Sequence, residues 1–224
     1  MHMSPPKPSW QSARLHYRAI RPTDTAIFTA LVNDTASFAN TTFANAQPPS
    51  RSEAEKFLQE TTEDALLSTI LWLPHPPAHP VDLGTPAEHS SSSSSNNNND
   101  DNDDNDDIVD EQFGTAIGIL HLRGLGRHEQ HHRTTDVCID ILPRYQGRGY
   151  GEEAIRWLLD YAFRRVGLHS VRMRAFGWNV GAIRLYERLG FVVEGREREA
   201  VWFEGRWWDS VTLGMLEDEW WGIQ

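Results

Sequence analysis

The chain has 224 residues, 39 % of them apolar, and a formal charge of −11 at pH 7. Eight of its acids lie between Asp100 and Glu111 with no base among them, and the remainder holds 24 acids against 21 bases. That length suits one domain with its own core, and the near-neutral remainder, without a basic stripe, excludes nucleic acid as a main partner. No apolar run approaches membrane-spanning length. The single cysteine, Cys138, excludes a disulfide framework and points to a reducing compartment. The N-terminal residues lack the apolar core of a signal peptide. The expectation is a cytoplasmic protein, with a nuclear site also open, that is neither secreted nor membrane-bound.

Residues 1–13 read as a loose, proline-containing leader. Residues 14–20 alternate Leu15 and Tyr17 against His16 and Arg18, a strand. Thr23 or Asp24 then caps a helix through Ala26, Phe28 and Leu31. The stretch 35–50 has no periodicity. Ser52 to Glu55 has capping-box spacing and opens a helix to about Thr62. Leu66 to Leu73 is a short apolar strand. Residues 74–112 combine prolines, a serine run, an asparagine run and the acidic run, a composition that cannot bury enough apolar surface to order itself. They read as a disordered insertion within one domain spanning 14–221.

The strand Phe113–Leu122 follows, and then a polar connection with His128, Glu129, His131 and His132. This cluster has neither a thiolate nor a His-x-x-x-His face, so no metal is expected. Asp136 to Leu142 is a strand with Val137, Ile139 and Ile141 on one side, stopped by Pro143. Gly147, Gly149 and Gly151 come next at alternate positions. An amphipathic helix then carries Ala154, Ile155, Leu158, Ala162, Phe163 and Val166, and ends at Gly167. A strand, a glycine-rich turn and a helix in series make a phosphate-binding device: glycines let the backbone approach, and amides converge at the positive end of the helix dipole. A P-loop would need Gly-Lys-Ser/Thr where Gly149-Tyr150-Gly151 stands. A dinucleotide fingerprint would need glycine at 152, which is Glu.

The chain closes with a strand (169–176), a helix with Asn179 near its start and Gly190 past its end, and a hairpin. The hairpin comprises 191–194 with 199–203, a Glu204-Gly205 turn and 206–215, and residues 217–221 form a terminal turn or helix. Trp202, Phe203, Trp207 and Trp208 bracket the hairpin turn and read as core or interface, compatible with a homodimer. Asn179 and Tyr186 are seven residues apart, two helical turns, and share a face.

Gln146-Gly147-Arg148-Gly149-Tyr150-Gly151 resembles the Q/R-x-x-G-x-G/A loop of the GCN5-related N-acetyltransferases (GNAT). Asn179 through Phe191 resembles that family's N-x-x-A-x-x-x-Y-x-x-x-G-F segment. Glu194-Gly195, Gly205 to Asp209 and Met215 resemble the tail of the branch with ribosomal-protein and spermidine acetyltransferases. The likeness is strong over 113–221, weaker over 14–73 and absent in 74–112. It implies an α/β (α+β) GNAT fold with a mixed, mostly antiparallel sheet splayed at its middle and flanked by helices. It also implies acetyl-CoA as cosubstrate without a metal, the pantetheine along Ile139, Asp140 and Ile141, the pyrophosphate on the amides of 146–151, and Asn179 holding the pantetheine arm. Tyr186 would protonate the leaving thiolate. Asp136 matches a position where relatives often carry Glu and is the first candidate general base, with Asp140, Glu129, His132 or water as others. The acceptor would be a protein N-terminus, a polyamine or another small amine. The alternative is a catalytically silent acyl-CoA-binding or sensor module on the same fold, against which the retained Tyr186 argues.

Overall fold

The structure is a computed structural model that describes residues 9–44, 47–63, 65–75 and 107–224. Its strands are β1 (His16–Ala19), β2 (Leu67–Leu73), β3 (Val109–Asp110), β4 (Gly114–Leu122), β5 (Thr134–Ile141), β6 (Ser170–Phe176), β7 (Val192–Phe203) and β8 (Arg206–Leu216). They form one sheet in the order β1-β2-β4-β5-β6-β8-β7, with β3 pairing on β4. Every pairing is antiparallel except that of β5 with β6. The helices around it are α1 (Thr25–Asn33), α2 (Thr35–Phe38), α3 (Arg51–Thr62), α4 (Tyr150–Asp160), α5 (Val180–Leu189) and α6 (Glu217–Gly222). This is the mixed, splayed α/β architecture expected from the sequence.

The apolar stripes read in the sequence are the ones buried. Helix α4 turns Ala154, Ile155, Leu158 and Leu159 into the core. It continues as one π-helical stretch, Tyr161–Val166, that buries Ala162 and Phe163 and stops at Gly167, φ +70°. Helix α1 buries Ile27, Phe28, Leu31 and Val32. Each of the Ile, Leu, Val and Phe side chains among them contributes about 1.5–3 kcal/mol of transfer free energy.

Three local expectations shift. The cap of α3 is Ser50, whose hydroxyl accepts the Glu53 N–H at 3.2 Å, because a second Ser-x-x-Glu box lies two residues before the one at Ser52. Asp24 occupies the cap position of α1 without a side-chain cap bond. Its carboxylate instead receives two bonds from the Arg18 guanidinium, both 2.9 Å, and one from the Arg21 N–H. The hairpin strand β7 is continuous, with irregular register at Val193/Gly195 and Glu197/Val201, where two short pieces were expected.

The expected insertion falls largely outside the described residues, but its last part takes structure. Val109–Asp110 pairs with β4, and Asp107 accepts bonds from Tyr145 at 2.7 Å and Arg144 at 2.8 Å. Residues 9–13, expected to be loose, dock on α4. The Trp10 ring lies 6.0 Å from both Trp157 and Tyr161, and Trp157 Nε1 donates to the Ser9 carbonyl at 3.1 Å. The hairpin aromatics divide. Phe203 and Trp208 pack on Trp178 at 4.5 and 5.6 Å, whereas Trp202 and Trp207 form an exposed cross-strand pair. Among the described residues no helix is long and apolar enough to cross a membrane.

Arg18 is buried at 7 % exposure beside the Trp72 and Phe113 rings, so its charge depends on Asp24. Removing one partner of such a pair strands the other charge in a poor solvent. Asp24→Ala should therefore lower unfolding free energy by about 3 kcal/mol, read from the urea midpoint at constant m-value.

Candidate active site

Strands β5 and β6 pair at only three positions: Thr134 with Ser170, Thr135 with Val171 and Asp136 with Arg172. Beyond Asp136 they part. Val137–Ile141 stays paired to β4 on its other side, and β6 stays paired to β8 throughout. Each strand thus turns an unpaired backbone edge into the gap, and buried backbone groups require partners. Gly118 lets β4 come close enough to hold β5 there, since a Cβ on it would fall 2.2 Å from the Asp140 carbonyl oxygen. The gap opens into a cavity of about 1040 Å³, at the upper end of small-molecule sites. Asp136, Asp140, Tyr186 and every residue assigned above to the coenzyme line it except Arg148, whose guanidinium lies instead over the Tyr145 ring at 5.8 Å.

One end of the cavity is the glycine loop. Gln146 ties it to the end of β5 by donating to the Ile141 carbonyl at 2.7 Å, and to Ser37 at 3.2 Å. Gly147 and Gly149 have φ of +69° and +82°, a region that costs other residues strain. A Cβ at Gly147 would meet nothing, and at Gly149 only the Arg14 guanidinium at 3.3 Å. The glycines are needed for the turn and not for packing, so the space before them is free for a ligand. Gly149 caps α4, whose first amides have no carbonyl four residues back and face the cavity end with the positive end of the dipole. The local structure thus fits a pyrophosphate.

Two acids in that first turn, Glu152 and Glu153, would oppose an anion, and both are neutralised. Glu152 meets Arg156 at 3.1 Å and Arg188 at 3.7 Å. Glu153 accepts from the Ser12 hydroxyl at 2.6 Å, the Arg14 N–H at 2.6 Å and Arg14 Nε at 2.7 Å. Burial pushes its carboxyl up, but the bonds from Ser12 and Arg14 outweigh this and hold it below the usual range. Arg14 also donates to the Arg148 carbonyl at 3.0 Å and covers the Tyr150 ring at 4.6 Å. An N-terminal strap thereby fixes the loop's shape and charge.

The opposite wall comes from α5. Asn179 caps it, its Oδ1 accepting the Ala182 N–H at 3.1 Å, and Gly190 at φ +100° ends it. Tyr186 is buried at 7 % exposure. Burial, and then the charges of Asp140 and Cys138, push its phenol well above the ordinary value, so it stays protonated. Burial raises the Asp140 carboxyl to about 7, with the Thr41 side chain pulling the other way. Burial, then Asp140, raises the Cys138 thiol to about 12; a thiol held protonated is a poor nucleophile. Asp136 sits at the apex of the splay, 3.2 Å from Arg172 and 3.7 Å from Arg123. Glu129 and His132 lie on the loop before β5, away from the lining. Among the described residues no three His, Cys, Asp or Glu converge as a metal site.

Sequence reasoning missed the lining from Ser37, Phe38, Thr41 and Phe43, in the stretch with no periodicity, and from Arg123, Arg172 and Arg174. It also missed Arg14 and Ser12. A recognisable local signal exists only for Arg172 and Arg174, which alternate with core residues along β6 and so share one face.

The acetyltransferase (GNAT) family matches residues 67–191, more than half of the chain, and the chain belongs to that family. It is 34 % identical over 88 residues to the spermidine N(1)-acetyltransferase of Vibrio cholerae, covering 39 % of this chain and 51 % of that protein. It is 30 % identical over 109 residues to the putative ribosomal N-acetyltransferase YdaF of Bacillus subtilis, covering 49 % and 58 %. The chain thus spans about half the length of the curated relatives it matches. The fold as a whole is similar to a crystal structure of the Vibrio cholerae spermidine N-acetyltransferase with CoA and spermine, at TM-score 0.65 and 22 % identity over 94 % of this chain and 99 % of that one.

Valine at position 149 resists φ +82° twice over, through its Cβ and its branching. Gly149→Val should raise the acetyl-CoA dissociation constant tenfold or more, a loss of at least ~1.4 kcal/mol, measured by titration calorimetry on folded protein. Arg14→Ala frees the Glu153 charge at the helix N-terminus. It should weaken acetyl-CoA about three- to tenfold, on the scale of one first-turn charge, and Glu153→Gln in the same chain should restore most of the loss.

Proposed function

We propose that the chain transfers the acetyl group of acetyl-CoA directly to a primary amine. The observation that carries this reading is the co-location of three features in one cavity: a helix start whose free amides suit an anion, an unpaired strand edge, and the buried Tyr186 within electrostatic reach of the half-buried Asp140. Acetyl-CoA would supply an activated thioester. The amides of 146–151 would take its pyrophosphate, the free edge at Ile139, Asp140 and Ile141 would pair with the pantetheine, and Asn179, whose amide nitrogen is not used in capping, would hold that arm.

An amine near pKa ~10 must lose a proton before it attacks. Asp140, beside Tyr186 and raised to about 7, is matched to that task, being half ionised near neutrality and basic when ionised. Asp136 is the other carboxylate on this strand, but both of its oxygens are engaged, Oδ1 by Arg172 at 3.2 Å and Oδ2 by Arg123 at 3.7 Å. The proposed base is therefore Asp140, with Asp136 orienting the arginines at the apex. A strand-edge N–H of β5 would receive the developing oxyanion. Tyr186 would hydrogen-bond the departing sulfur. Since its phenol is pushed up and a thiol titrates near ~8.5, full transfer is uphill, and the bond acts by stabilising thiolate as it forms. Burial pushes the Cys138 thiol up to about 12, which makes it a poor nucleophile, and direct transfer needs no acyl-enzyme.

The relatives named for spermidine and ribosomal substrates support an amine acceptor. One of the Vibrio cholerae spermidine acetyltransferase structures is dodecameric, and the exposed Trp202–Trp207 pair supports self-association of this chain as well.

The test is free-thiol release from acetyl-CoA across an amine panel, and coenzyme binding without turnover of any amine would favour a silent module. Tyr186→Phe should lower kcat about 100-fold with acetyl-CoA affinity unchanged; near-normal turnover would make the tyrosine structural. For pH, the base works only when ionised, so kcat/KM should fall tenfold per unit below about 7 and flatten above it. Asp140→Asn should abolish that limb, whereas Asp136→Asn should keep it.

A further inference from the structure

The half of the cavity away from the glycine loop has a chemistry of its own. Asp136, Cys138 and Asp140 on β5 share a side with Arg172 and Arg174 on β6, as the Arg172–Asp136 ion pair at 3.2 Å shows. Two guanidinium groups, Arg172 and Arg123, already share the one Asp136 carboxylate. Arg174 makes no ion pair among the described residues. It is exposed on the cavity wall, with its guanidinium 5.3 Å from the Phe43 ring centre. Phe43, 53 % exposed, meets Phe176 edge-on at 4.9 Å, and Phe176 stacks on Trp178 at 4.6 Å. Of the two other acids on the lining, Glu152 is at the glycine-loop end with Arg156 and Arg188; Glu197 is paired with Ser210, itself paired with Phe176. It therefore lies two strand spacings from β6, about 10 Å.

A polyamine has several cations and no anion, and its second ammonium would meet this arginine-rich wall as a like charge. An amine with a neighbouring anion would find each group matched. We propose that the acceptor is a carboxylate-bearing amine of the α-amino-acid class, whose carboxylate is bound by Arg174, whose amine faces Asp140 and whose side chain rests on Phe43 and Phe176. Counted from the last pair, Asp136 with Arg172, Arg174 stands two residues along β6 and Asp140 four along β5, an offset of about 6.6 Å along the strands to which the widening gap adds a lateral component. Both side chains line the cavity between the strands. Arginine suits the role because its planar fork bonds a carboxylate at two points, and the Phe43 ring beneath it holds the plane in place.

This inference rests on the acetyl-transfer reading. The experiment measures thiol release from acetyl-CoA with L-phenylalanine and phenethylamine, with L-leucine and isoamylamine, and with spermidine. The expected result is that kcat/KM for each amino acid exceeds that of its decarboxylated partner, and that of spermidine, at least tenfold. Arg174→Gln should cut the amino-acid-to-amine ratio at least tenfold, and Arg174→Lys should recover part of it, with unchanged melting temperatures. Turnover of spermidine or the plain amines in preference to the amino acids, or an unchanged ratio in Arg174→Gln, would overturn the acceptor assignment while leaving acetyl transfer intact. Release of thiol with none of the amines, despite acetyl-CoA binding, would overturn both.

Discussion

The site depends on the place where the parallel pairing of β5 and β6 stops. Three residue pairs hold the strands together and then each follows its other neighbour, β5 to β4 and β6 to β8. A sheet that continued pairing would have satisfied its own backbone and left no room. A sheet parted further down would have lost the core contacts of Val171 and Val137, both buried. The unpaired edges are a standing requirement for hydrogen-bond partners, and an extended amide-bearing ligand would meet it in the way that strand addition does at other sheet edges. Asp136 and its arginines sit at the fork, where they keep polar side chains between two strands that diverge.

Around that gap the helices supply electrostatics. Helix α4 presents a positive terminus and α5 a protonated phenol. The first-turn acids of α4 would spoil the former; the strap from Ser12 and Arg14 engages Glu153, and Arg156 and Arg188 meet Glu152. The strap is itself anchored by aromatic packing, with Tyr17 stacked on Trp157 at 3.7 Å. Residues near the start of the chain thus set the potential at a loop some 139 positions later. Burial does the rest: the same desolvation that keeps Tyr186 protonated brings Asp140 to about 7, separating the two groups into donor and acceptor.

Much of this was legible where the signal is local. Pro143, Gly167 and Gly190 end their elements as their chemistry requires, Asn179 caps α5, and Glu204 and Gly205, both at positive φ, make the hairpin turn. The glycine loop was legible because positive φ at Gly147 and Gly149 leaves a residue-type trace. The register of β5 against β6 leaves none, since either strand would alternate the same way in a fully paired sheet. The Arg14–Glu153 link joins residues with no sequence relation, and Trp10 looked like part of a polar leader because its partners lie on α4. Phe43 and Arg174 matter only through each other, across chain segments that carry no common pattern. Choosing between Asp136 and Asp140 required the ion pairs of one and the burial of the other, and both come from tertiary structure.

The central claim is that the open edge of β5 and the turn before α4 together form the coenzyme site. Amide hydrogen exchange with and without saturating acetyl-CoA tests it without reference to catalysis. The account predicts slowed exchange in 137–142 and 146–152, with little change in β1 and β2 at the far side of the sheet. Saturable binding that leaves both segments unprotected would contradict it.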